Sequence, residues 1–91
     1  MPYIIQADRK QFDPVIKNVV DAITNHGFSK LKPGDLNYVF SKIVWDVFDK
    51  NPSYTFGNEL VGVLECVKQE FYRRKLAELE NKKIIENGDI I

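Results

Sequence analysis

The stretch Ser53-Tyr54-Thr55-Phe56-Gly57-Asn58-Glu59-Leu60-Val61-Gly62-Val63-Leu64-Glu65-Cys66-Val67-Lys68-Gln69-Glu70-Phe71-Tyr72-Arg73-Arg74 decides the fold class. Phe56, Leu60, Val63, Leu64, Val67 and Phe71 recur every three or four residues, which gathers them on one side of a helix. Ser53 suits the N-cap, because its hydroxyl can accept from the unpaired N–H groups of the first turn. The pattern predicts a helix over 54–86, long for a small domain. The stripe changes character at Phe71, since the next positions on that side are Arg74 and Glu78. A second, weaker stripe of Val61, Tyr72, Leu76 and Leu79 lies about a third of a turn away. The expectation is that the part up to Phe71 packs in a three-helix core and the remainder projects or bends.

Two shorter helices precede it. Asp13-Pro14 is a start signal, with Asp as cap and Pro tolerated at the first helical position because it has no N–H to leave unpaired. Val15, Ile16, Val19, Val20 and Ile23 then share one stripe, and His26-Gly27 supplies an end, giving a helix over 14–26. Pro33-Gly34-Asp35 reads as a turn feeding an N-cap at Asp35. Leu36, Val39, Phe40, Ile43, Val44, Val47 and Phe48 form the most apolar stripe, on a helix over 36–49 that stops before Asn51-Pro52. Trp45 sits off its centre and borders a second contact surface. Ala7 to Phe12 adds one helical turn. Tyr3-Ile4-Ile5 and Asp89-Ile90-Ile91 read as short extended ends, expected to pair or pack with each other within or between chains. The fold class is therefore all-α: a three-helix domain, single over 1–91, with a long C-terminal helix.

Composition narrows function by exclusion. The chain has 91 residues, 44% apolar and 29% charged, an ordinary globular mixture in which the core is modest. Lys and Arg total 13, as do Asp and Glu, so the marked basic excess of a nucleic-acid binder is missing. No apolar run approaches the ~18–20 residues of a membrane-spanning helix. Met1-Pro2-Tyr3-Ile4-Ile5 lacks the basic start of a signal peptide, so a cytoplasmic location is expected. Cys66 is the one cysteine. It can form no intrachain disulfide, and in an apolar helical stretch it reads as a small core or interface residue.

The groups that could carry chemistry do not assemble into a reaction. A Mg²⁺ site of the all-α nucleotide pyrophosphohydrolase kind needs carboxylates three or four residues apart on one helix side. Glu59, Glu65, Glu70, Glu78, Glu80 and Glu86 are spaced by six, five, eight, two and six, so that reading is disfavoured. His26 has no nucleophile or orienting carboxylate beside it in sequence, and Gly57, Gly62 and Gly88 are too dispersed for a phosphate loop. No catalytic residue, metal ligand or cofactor is expected, and the chain is read as not an enzyme. The sharpest polar cluster is Tyr72-Arg73-Arg74 with Lys68. Guanidinium groups recognise phosphate or carboxylate, and a tyrosine ring can stack a base. The competing reading is ion pairing with Glu65, Glu70 and Glu78. Asn37 and Asn58, near the first turns of two helices, either serve locally or share a pocket with the arginines. Gly62, inside a helix, is either tolerated or kept for close approach of another subunit.

Several strings together resemble a group of short uncharacterised bacterial and phage proteins. They are Gly34-Asp35-Leu36-Asn37-Tyr38-Val39, Asn58 through Lys68, Phe71-Tyr72-Arg73-Arg74, Lys82-Lys83 and Glu86-Asn87-Gly88-Asp89, with Met1-Pro2-Tyr3-Ile4 similar too. The chain departs from the group at its end, where Ile90-Ile91 stand in place of an aromatic residue. The resemblance implies a prokaryotic or phage origin and brings no activity.

The reading that follows is a non-catalytic interaction or regulatory protein that acts as a homo-oligomer and binds a protein partner. Val61, Gly62, Leu76 and Leu79 are its interface candidates, since an uncovered apolar stripe usually finds a partner. The alternative is a binder of a nucleotide or other anion, using Lys68, Tyr72, Arg73, Arg74, Asn58 and Asn37 at a subunit interface.

Overall fold

A computed structural model of the chain describes residues 3–25 and 30–91. It contains helices α1 (Gln6–Arg9), α2 (Asp13–Thr24), α3 (Pro33–Asp49), α4 (Tyr54–Phe71) and α5 (Ala77–Asn87), with a π-helical turn over Tyr72–Leu76 joining the last two. There is no strand among the described residues, so the fold class is all-α as the periodicity predicts. The end expected for α2 at His26-Gly27 lies outside the described residues.

The caps explain where the helices begin, and two differ from expectation. Phe12 already has helical geometry (φ −99°, ψ −33°), and its carbonyl accepts from Ile16 N–H at 2.9 Å. The Asp13 side chain therefore does not cap, because a capping residue must leave the helical region while Asp13 is already inside the helix. Helix α3 starts at Pro33, three residues ahead of Leu36. Pro33-Gly34-Asp35 is its first turn and not a separate one. Pro33 has no N–H to orphan, and the Asp35 carboxylate reaches back to accept from Lys32 N–H at 3.1 Å. At α4 the expected cap is present, with Phe56 N–H donating to Ser53 Oγ at 3.1 Å. The long helix ends at Asn87, where Gly88 takes φ +89° and its N–H donates to the Ile84 carbonyl at 2.8 Å. That backbone geometry suits glycine because it has no Cβ to clash.

The three-helix core anticipated from the stripes does not close. No described side chain is fully buried. A thin half-buried seam runs from Val19 and Ile23 on α2, through Leu36, Val39 and Val44 on α3, to Phe56 and Leu60 on α4. Its firmest point is at the α3–α4 corner, where the Phe48 and Phe56 rings stack with centroids 6.3 Å apart and planes 6° off parallel. Gly57 lies close there: a Cβ on it would stand 3.4 Å from Phe48 Cε1. Between α2 and α3 an open groove of about 480 Å³ exposes Val15, Ile16, Val20, Phe40 and Ile43. A second groove, about 310 Å³, lies between α3 and α4 and is lined by Val44, Trp45, Phe48, Leu60, Val61 and Leu64. Trp45 lines that groove and is 67% exposed.

The radius of gyration is 16.7 Å, and the longest dimension is 49 Å. A compact chain of this length has a radius near ~12 Å. The length comes from α4, the π turn and α5, one nearly continuous rod of about 50 Å at 1.5 Å per residue. The remainder beyond Phe71 therefore projects, as expected, and the π turn is where it changes direction around the helix axis. The extended ends do not pair within the chain. Tyr3 packs instead against the end of α4, and Ile90 and Ile91 are fully exposed.

Removing the Ser53 hydroxyl orphans a first-turn donor on the helix that carries everything downstream. Ser53→Ala should lower stability by about 1 kcal/mol, read from urea unfolding at a fixed protein concentration.

Candidate functional site

The π turn begins directly after Phe71, two residues beyond Glu70, so it places Tyr72, Arg73 and Arg74 around the end of α4. Arg73 and Arg74 lie three and four residues beyond Glu70, the spacings at which helical side chains meet. Both guanidinium groups reach the same carboxylate oxygen: Arg73 Nη2 is 2.7 Å and Arg74 Nη1 3.6 Å from Glu70 Oε1. The Tyr3 hydroxyl, from the start of the chain, donates to that oxygen as well. Arg74 Nη1 also donates to the Tyr3 hydroxyl at 3.5 Å. The segment carrying Tyr3 is braced by Arg9, whose Nε donates to the Ile4 carbonyl at 2.9 Å.

Glu70 is thus the hub, and its side chain is 26% exposed. The Tyr3 hydroxyl first, then the Arg73 guanidinium, holds its carboxyl below the ordinary glutamate value, with the charge of Arg74 adding to the effect. One carboxylate cannot neutralise two guanidinium groups, so the cluster keeps a net charge of about +1. Lys68 is spent locally on Glu65 at 3.3 Å. Glu65 is itself held low, first by Gln69 Nε2 at 3.1 Å and then by Lys68. The Tyr72 hydroxyl donates to Glu80 Oε2 at 2.7 Å, and that acceptor raises the Tyr72 phenol above its ordinary value. A shallow depression of about 410 Å³ lies over this end of α4, lined by Tyr3, Cys66, Lys68, Gln69, Tyr72 and Arg73 together with Glu70. Cys66 is exposed in it and not in a core.

The structure brings Lys68, Tyr72, Arg73 and Arg74 together and leaves the two asparagines elsewhere. Asn37 is exposed on α3 and accepts from Ser41 Oγ, one turn on, at 3.0 Å. Asn58 is exposed on the first turns of α4, about 22 Å along the axis from Arg73. Neither asparagine lines the depression at the arginines: Asn37 is on α3, and the length of α4 separates Asn58 from them. Of the interface candidates, Val61, Leu76 and Leu79 are exposed. Nothing lies within 4 Å of where a Cβ on Gly62 would stand. Among the described residues no three His, Cys, Asp or Glu side chains converge as metal ligands would. Several carboxylates are taken by neighbouring lysines, as in Lys17–Asp21 at 2.8 Å, Lys42–Asp46 at 3.1 Å and Lys83–Glu86 at 3.3 Å. His26 lies outside the described residues. No helix among the described residues is long and apolar enough to cross a membrane.

Tyr3 is the member of the cluster that sequence reasoning missed. It lies 67 positions from Glu70, and no periodicity links a three-residue extended stub to a helix end. A lone tyrosine between Pro2 and Ile4 carried no polar motif to flag it.

A family model described as a domain of unknown function, DUF6899, matches residues 1–90. No curated protein matches the chain, and neither does any solved structure.

The low carboxyl value of Glu70 has a definite pH consequence. A depressed folded-state value means that the stabilisation is complete above the ordinary glutamate range and is lost as pH falls through the lower, folded value. Docking of Tyr3 should therefore release at acid pH, with a midpoint below that of an unperturbed glutamate. Tyr3 ring resonances followed by NMR against pH should show this step, and Glu70→Gln should abolish it.

Proposed function

We propose, for a chain that belongs to the DUF6899 family, a non-catalytic role: a small helical interaction protein that works as a homo-oligomer and, once assembled, binds a protein partner. The observation that carries this reading is the exposed area. The chain exposes 8411 Å². A compact monomer of its mass exposes about 5,500 Å², so roughly 2,900 Å² of excess surface is left uncovered. Ordering a backbone costs ~1–2 kcal/mol per residue, and burial of apolar side chains is the main force that offsets it. Helices whose apolar stripes stay half exposed need burial from another molecule. A second copy is the simplest supplier, because it carries the same uncovered stripes and a net charge of zero opposes no approach.

The grooves left open between α2 and α3 and beside Trp45 are the surfaces on which we place the assembled protein's own contacts and those of its partner. We assign the protein to the cytoplasm of a bacterial or phage-infected cell. The exposed thiol of Cys66 suits a reducing compartment, and the resemblance to short bacterial and phage proteins supports that origin. The second reading is an anion binder at the Tyr72-Arg73-Arg74 cluster. One observation favours it, the net positive charge left after Glu70 is counted. It ranks second because Glu70 already takes both guanidinium groups and Glu65 takes Lys68.

Light scattering of the full chain over a hundredfold concentration range tests the main reading. The expected mass is a multiple of the monomer, with a melting temperature that rises with protein concentration. A monomer mass throughout, with a concentration-independent melt, removes the proposal. A thermal shift with nucleotides that vanishes in Arg73→Ala/Arg74→Ala would promote the second reading instead.

A further inference from the structure

Leu60, Leu64, Val67 and Phe71 follow one another at intervals of four, three and four residues, which keeps them on one side of α4. The next large aliphatic residues are Leu76, five beyond Phe71, and Leu79, three further on. A step of five falls off an α-helical stripe. In an unbroken helix the line from Phe71 would meet Arg74, Lys75 and Glu78, and any helix packing there would have to desolvate their charges.

The π turn alters that geometry. The Ala77 N–H donates to the carbonyl of Tyr72, five residues back and not four, so this turn accommodates one extra residue. One extra residue shifts everything after it by about 100° around the axis. That is the third of a turn that separates the two stripes. After the shift Leu79 falls in line with Val67 and Phe71, Leu76 falls in line with Leu64, and Glu78 moves to the flank. The same change brings residues eight apart to about two full turns, so Tyr72 stands over Glu80. Their hydrogen bond at 2.7 Å is independent evidence of the shifted register.

We propose that the π turn joins the two stripes into a single apolar seam, Leu60 to Leu79, and that a second copy of this chain packs along it. The inference rests on the self-association reading above. Among the described residues, α3 meets the seam at its Leu60 end, where Phe48 and Leu60 line one groove. Val67, Phe71, Leu76 and Leu79 remain 38–60% exposed. The uncovered excess, roughly 2,900 Å² per chain, is ample for the interface of an obligate homodimer, which buries about 2,000–5,000 Å² in all. The seam runs about 29 Å along the rod, and Trp45, the one tryptophan, stands beside its Leu60–Leu64 end.

Sedimentation equilibrium of the full chain, with Trp45 emission as a second signal, tests this on four proteins: wild type, Leu76→Ser/Leu79→Ser, a deletion of Lys75, and Ile85→Ser. Deleting Lys75 removes the one extra residue, so an unbroken α-helix then carries Leu76 and Leu79 four and seven positions beyond Phe71, still on the seam. Ile85 is 85% exposed on another side of α5 and serves as the control. The expected result is an oligomeric wild type, self-association weakened about tenfold or more in the double serine variant but kept within twofold in the deletion, helix content unchanged by circular dichroism, and an unaltered control; a folded deletion variant that loses association tenfold overturns the seam. Weakened association should also shift Trp45 emission to the red. If the deletion variant does not fold, the double serine variant decides, since its changes are at exposed positions. An oligomeric wild type whose double serine variant associates within twofold of it overturns the seam while leaving self-association intact. A monomeric wild type overturns both.

Discussion

The dependence of every helix here on uncovered apolar surface is the constraint from which the rest follows. Each of α2, α3 and α4 has a well-formed apolar stripe, yet the chain folds none of its described side chains fully out of water. Helices of this length are marginal on their own in water, and in proteins they are held mainly by packing of one side. The contacts that do form are a thin line from Val19 to Leu60, tightened at the Phe48–Phe56 stack. They set the angle between α3 and α4 and leave the rod beyond Phe71 without cover. Under the self-association proposed above, a second chain would supply the burial that one chain lacks.

The π turn and the Glu70 hub occupy the same short stretch, and they act on different sides of the rod. On one side the inserted residue brings Leu76 and Leu79 into line with the α4 stripe. On the other, Glu70 gathers Tyr3, Arg73 and Arg74, while Tyr72 crosses two turns to Glu80. A π turn widens the helix and weakens its local hydrogen bonding, and such turns are often functional. Here side-chain bonds from Tyr72 and Arg73 flank the wide turn. These exposed contacts contribute little individually. Their effect is geometric, since they favour one register over the other and tie the start of the chain to the end of α4.

The all-α class and the long last helix are legible without coordinates, because helical periodicity in Phe56, Leu60, Val67 and Phe71 depends on nearest turns alone. The Ser53 cap is legible for the same reason. Asp13 and Pro33-Gly34-Asp35 misled, because cap and turn chemistry look alike in sequence and the backbone of the preceding residue decides between them. Phe12 was already helical, and Pro33 was already at the first position of α3. At the candidate site, the pairing of Lys68, Arg73 and Arg74 with glutamates three or four residues away could be read directly. That Asn37 and Asn58 stay out of the arginine site could not, because both lie near helix starts and a local pattern does not say where α3 and the first turn of α4 stand relative to the end of α4.

The sequence by itself determined which residues share a helix side, where the stripe breaks at Phe71, and that a second stripe starts a third of a turn away. These are local facts, set by a repeat of 3.6 residues. Only the tertiary structure decided that a π turn bridges the break, that Tyr3 lands on Glu70 from 67 positions away, and that the three stripes do not close into a core. The physical reason is common to all three. Each depends on where backbone or side chains from separate turns end up relative to one another, and a periodic pattern carries no information about phase shifts, chain closure or the surface left over when packing is complete.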